Sequence, residues 1–181
     1  MDKKYKDIKV LFCIMKNMKN LTKIFIVLFF SYSLNAENMK EYIVTGSDVT
    51  KTKSFDLGNK NTFSSFTVNG SWTDNYGNYG FNKCMGIINK NYDNVELYFM
   101  CEREDKNGFK IWTVNKRKSG IQNSGVGTFE IVDATIPKKE LLIGKKCTYA
   151  VKYLKQTNFN KSKCKVSEEL SKVLEQIASE K

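Results

Sequence analysis

The chain between Val95 and Glu102 keeps a period of two. Val95, Leu97, Phe99 and Cys101 fall on one face, and Glu96, Tyr98, Met100 and Glu102 on the other. That period belongs to a strand with one face buried. The run Phe81–Ile88 is its natural antiparallel partner, because Asn89–Asn94 (NKNYDN) between them has turn chemistry. Folding about Tyr92 and Asp93 sets Cys84 opposite Cys101 on the same side, where a cross-strand disulfide can form.

The same pattern recurs along the chain. Tyr42–Val44 reads as a short strand, and Lys51–Leu57 with Thr62–Val68 as a hairpin about Gly58–Asn61. Phe63 and Phe66 break the alternation of the second arm, which implies a bulge or burial on two faces. From Gly70 to Gly80, three glycines with Tyr76 and Tyr79 suggest a close-packed turn whose rings cover one end of the fold. Asp105–Gly108 is a turn signal, and Phe109–Val114 alternates again. Asn115–Gly125 is polar and aperiodic, a loop. Val126–Val132 is a strand, Pro137 ends the segment after it, and Leu141–Ile143 and Cys147–Leu154 are the last strand candidates.

From Ser167 the period changes to that of a helix over 167–179. Val166, Leu170, Val173, Leu174 and Ile177 form its stripe, Ser167 is the N-cap, and Glu168 and Glu169 occupy the first turn. Eight or nine short strands joined by tight turns make an antiparallel meander, and a meander this long must protect its edges by closing. The expected fold is all-β: a small up-and-down barrel of about eight strands, with one C-terminal helix on its wall or plugging one end.

Residues 1–36 read as a cleavable export leader. Lys16, Lys19 and Lys23 precede an apolar run, Ile24–Leu34, too short to span a bilayer, and Ala36 offers the cleavage position. Met15 or Met18 is an alternative start. Removing the leader takes seven lysines and two aspartates from a chain of net charge +11, leaving +11 − (7 − 2) = +6 on a single domain over 37–181. The expected location is the periplasm or the exterior, with no stable membrane insertion after cleavage.

Four cysteines then remain. An even number in an exported chain argues for disulfides, and equal spacing favours Cys84–Cys101 with Cys147–Cys164. A bond from the first hairpin to the last strand stays open as an alternative. With no histidine anywhere, a Ser-His-Asp triad, a Cys-His pair and imidazole metal sites are excluded. No metal and no cofactor is expected. Lysine outnumbers arginine twenty-eight to two, the two being Arg103 and Arg117, which an A+T-rich coding composition explains.

The acids suggest no converging pair of the glycosidase kind. Asp74, Asp93, Glu102, Glu104 and Asp105 lie in or beside turns, Glu96 faces outward, and Glu130 and Asp133 are the acids of the G-V-G segment that could face a barrel mouth. Nine lysines against Glu140 alone between Lys138 and Lys165 form a basic stretch. It reads as a solubility device or as a patch for an anionic envelope polymer. Export and the scarcity of arginine speak against nucleic acid.

Three motifs carry resemblances. Gly70-Ser71-Trp72 resembles the G-x-W of lipocalins and avidins, in which the tryptophan closes the base of a barrel, although here two or three strands precede it. Ser124-Gly125-Val126-Gly127-Thr128-Phe129 is similar to the G-x-G-x-F/Y strand of dirigent and allene oxide cyclase-like barrels, without their further glycine near the strand end. The layout, with W-T-D-N-Y-G-N-Y-G, two cysteine pairs and the G-V-G strand, resembles small exported proteins of A+T-rich marine α-proteobacteria. That likeness implies no activity. Gly125 and Gly127 lack the lysine and helix of a phosphate loop.

The leading expectation is a non-enzymatic barrel that binds a small, largely apolar molecule, lined by Trp72, Phe81, Val95, Leu97, Phe99, Ile111, Phe129, Ile131 and Tyr149. The rivals are a cofactor-free isomerase or cyclase, as the allene oxide cyclase-like resemblance implies, and an envelope interaction protein using its basic surface.

Overall fold

The structure, a computed structural model, describes residues 38–119 and 124–180. The leader, with its cleavage site, lies outside the described residues. Eight strands run in order as a closed antiparallel barrel: β1 Lys40–Gly58, β2 Asn61–Asp74, β3 Tyr79–Asn91, β4 Asn94–Asp105, β5 Lys110–Arg117, β6 Gly125–Ala134, β7 Lys146–Leu154 and β8 Thr157–Val166. Each pairs with its neighbour in sequence, and β1 pairs with β8 from Lys40↔Val166 to Val49↔Thr157. Helix α1, Glu168–Ser179, follows, and the side chain of Ser167 caps it by accepting from the Leu170 amide.

The barrel and helix match the pattern; the details differ in places. Tyr42–Val44 and Lys51–Leu57 are parts of one long strand, β1, whose exposed second half hid its continuity. Leu141–Ile143 is not a strand. A 3₁₀ turn, Lys139–Leu141, lets Leu142 drop into the core, so its hydrophobicity serves the base of the barrel. The last strand is β8, whose inward positions Asn158, Asn160 and Ser162 are polar and so gave no apolar alternation. Asn115–Arg117, expected in a loop, continue β5, and residues 120–123 lie outside the described residues. No bulge interrupts 62–68: Phe66 is buried and Phe63 points out.

One end of the barrel is solid. Leu170, Leu174 and Ile177 of α1 meet Tyr42, Val44, Trp72, Ile111, Ile136 and Leu142 in a single apolar cluster. Two hairpin turns of the same design fasten the helix there. In Asp74-Asn75-Tyr76-Gly77-Asn78 the Asp74 carboxylate accepts from the Tyr76 and Asn78 amides, and in Asp105-Lys106-Asn107-Gly108-Phe109 the Asp105 carboxylate accepts from Asn107 and Phe109. Asn78 then donates to the Leu174 carbonyl at 3.1 Å, Asn107 to the Ile177 carbonyl at 3.1 Å, and Lys106 to the Ala178 carbonyl at 3.0 Å. The last contact sets a cation at the helix C-terminus, where the dipole favours it. Tyr76 stacks on Tyr42 with centroids 6.1 Å apart and covers this end, whereas Tyr79 points outward.

Both disulfides are the favoured ones and both face inward. Cys84–Cys101 ties β3 to β4 with Cα atoms 4.1 Å apart, and Cys147–Cys164 ties β7 to β8 at 4.7 Å, near the spacing of directly opposed non-hydrogen-bonded residues. Past Val49 the outer edge of β1 leaves β8 and runs beyond the rim paired only with β2.

Candidate functional site: the barrel interior

Above the solid base the barrel keeps a cavity of about 60 Å³. Its floor is a single register row around the wall: Asp48 on β1 pairs with Gly70 on β2, Gly70 with Asn82 on β3, and Asn82 with Arg103 on β4. The glycine in that row is required by its neighbours. A Cβ on Gly70 would stand 2.3 Å from the Asp48 carboxylate oxygen and from the Ser47 carbonyl. Across the gap Asn82 reaches Asp48 Oδ1 at 3.3 Å, and Asn160 on β8 reaches Oδ2 at 2.7 Å.

Asp48 is buried, and that burial pushes its carboxyl above the usual carboxylate range, against the pull of Asn82, Arg103 and Asn160. Arg103 lies between this cavity and a void of about 20 Å³ over the helix-side core. Its guanidinium sits 5.6 Å from the Phe129 ring centroid. Enclosure pulls its pKa down from the ordinary arginine value, while Tyr42 and Asp48 pull it back up.

The wall above the floor is aromatic and amide. Phe66 meets Phe99 edge-on at 5.7 Å, Phe99 meets Tyr149 at 6.0 Å, and Phe129 meets Tyr149 at 6.5 Å, a chain of rings across the barrel. Tyr149 lies over its register partner Gly127, where any Cβ would be 2.5 Å from the ring. This is the physical use of the G-V-G segment. The Tyr149 hydroxyl is buried, and burial raises its pKa to about 12, with Arg117 opposing. Asn115 donates to Thr113 Oγ1 at 2.9 Å, and Asn158 to Thr50 Oγ1 at 3.2 Å. Near the rim, Arg117 on β5 donates to the Tyr153 hydroxyl at 3.3 Å and lies 5.8 Å from that ring's centroid. The Cys84–Cys101 bridge forms part of the wall.

Of the residues expected to line a site, Leu97, Phe99, Phe129 and Tyr149 do so. Val95 packs half-buried against the Phe66–Leu97 cluster beside it. Trp72, Ile111 and Ile131 belong to the solid base, below the cavity. Phe81 is a correction: it is 76% exposed on the outer wall, because the alternation of β3 turns Asn82 and Cys84 inward. Glu130 and Asp133 are exposed as well, and Asp133 pairs with Lys139. Asp74 is buried as a turn cap and not solvated. Sequence reasoning missed Asp48, Asn82, Asn158 and Asn160, and it passed over Arg103 and Arg117 as composition. The one available signal was their even spacing with buried apolar positions on the same strands.

Outside, the lysine-rich stretch is partly neutralised: Lys138 pairs with Glu169, Lys139 with Asp133 and Lys163 with Glu41. Among the described residues no cluster of three or more Cys, Asp or Glu could hold a metal, and no helix is long and apolar enough to cross a membrane. No protein-family model, curated protein or solved structure matches the chain.

Proposed function

We propose that the protein is an exported, disulfide-stabilised barrel that binds a small ligand inside and does not transform it. One observation carries this reading: the barrel is plugged by its helix at one end yet keeps a cavity above the plug, walled by rings, amides and a disulfide. Pre-formed concave sites with a few fixed polar groups are where small molecules bind. The two disulfides belong to an oxidising compartment, which supports export through the leader pattern. The lining also alters the ligand expected from the strands alone, since Asp48, Arg103, Arg117 and four asparagines share the wall with the aromatic rings.

Titrating small acids, amides and alcohols into the isotope-labelled barrel tests the reading. Amide shifts should concentrate at Val68, Cys84, Phe99 and Val151, and Val68→Phe, which fills the space, should abolish them. Shifts confined to the outer wall, or unchanged in Val68→Phe, would overturn it.

Asp48 favours a second reading, the cofactor-free isomerase or cyclase. A carboxyl that burial pushes above its ordinary range, set in a cavity wall, is suited to proton transfer. Its oxygens are already engaged by Asn82 and Asn160, which is why binding alone is preferred. Loss of turnover in Asp48→Asn, with ligand binding intact, would reverse that preference.

A further inference from the structure

We propose that the ligand is bound as an anion, a short-chain carboxylate, and that Arg103 holds its oxygens. The proposal rests on the reading of the interior as a binding cavity and adds the chemical class of its occupant.

The distribution of cations is the first argument. The chain has twenty-eight lysines and two arginines. Every described lysine is exposed or half-buried, whereas Arg103 and Arg117 both line the interior. Whatever favours lysine over arginine elsewhere, these two inward positions keep the planar fork that matches a carboxylate.

The second argument is what surrounds Arg103. Among the described residues its guanidinium makes a ring contact with Phe129 and no hydrogen bond. The acid in the same cavity, Asp48, gives its two oxygens to Asn82 and Asn160 instead. A guanidinium offers only donors, and Arg103 is half-buried in the cavity lining, where a charged donor without a protein acceptor carries a cost. A bound carboxylate would remove that cost with two parallel N–H···O bonds.

Charge and size agree. Arg103 and Arg117 both line the cavity, cationic groups of the kind a carboxylate complements. About 60 Å³ holds roughly four waters, or an acid of about that many heavy atoms. The apolar end of such an acid would meet the Phe66–Phe99–Tyr149 rings.

The experiment uses the scarcity of arginine. In the intact disulfide-bonded barrel the side-chain Nε–H region of a nitrogen–proton spectrum contains two signals, and Arg117→Lys assigns them. The wild-type protein is titrated with acetate and propionate and, in parallel, with their neutral amides acetamide and propionamide. The acids should move the Arg103 signal and the amides should not. Arg103→Lys should weaken propionate by about tenfold or more, because a point cation lacks the fork. If that variant fails to fold, the wild-type Nε–H shift still decides. Acids that bind without moving the Arg103 signal would refute the anchor. Amides that bind as well as acids would refute the anionic class and leave the cavity reading standing. If neither acids nor amides bind, the cavity reading falls and this proposal with it.

Discussion

Burial raises the Asp48 carboxyl pKa above its ordinary value, and the consequence for stability has a definite sign. Between the ordinary range near 4 and the raised folded value, the folded state holds the proton that the unfolded chain has released. The contribution is therefore present below the unfolded pKa and is lost as pH rises through the folded one. Asp48→Asn keeps the shape and removes the titration, so its stability relative to wild type should climb as pH rises from about 4, where a free carboxyl titrates. Denaturant unfolding at several pH values checks this, and parallel curves would show that Asp48 does not titrate in the folded barrel. The sequence did not reveal Asp48 as an interior group. Hydrophobic alternation identifies apolar inward faces; Asp48, Asn82, Arg103, Asn115, Asn158 and Asn160 point inward on strands where polar residues conceal that pattern. The rings Phe99 and Phe129 were legible because they obey it.

At the level of elements, the helix was the most readable because its period differs from everything before it. Ser167 caps it, Leu170 and Leu174 are buried, and the stripe that looked marginal alone closes the barrel. Leu174→Ala should cost about 2–4 kcal/mol, the usual penalty for emptying a buried leucine site. An unchanged denaturation midpoint would mean that the base can do without the helix. β8 was the least readable, since its inner face gives the cavity Asn158 and Asn160 and joins the core only at its end, through Cys164 and Val166. The 3₁₀ turn at Lys139–Leu141 misled for the opposite reason: Leu142 is apolar to serve the plug. The turns at Asp74 and Asp105 were predictable in place. Their shared role of holding helix carbonyls depends on the closed barrel, which brings both to the same end.

For the molecule as a whole, the disulfides clamp β3 to β4 and β7 to β8, hairpins on opposite sides of the eight-stranded ring. Each closes a loop spanning seventeen positions, worth about 3 kcal/mol in the chain-entropy account. Reduction should lower the melting temperature, and replacing either pair should do so separately; a melt insensitive to reductant would show that the ladders suffice. A closed barrel pairs most of its edges, and among the described residues the longest stretch without a neighbour on one side is on β1. β1 outruns β8 at Val49, so Lys51–Gly58 present unpaired backbone beyond the rim, with Phe55 and Leu57 exposed beside it. That overhang is where strand-by-strand polymerisation could begin. Lys51 and Lys53 against the single acid Asp56 leave it net positive, so two copies approaching edge to edge carry like net charge. The barrier is electrostatic and weakens as salt is added.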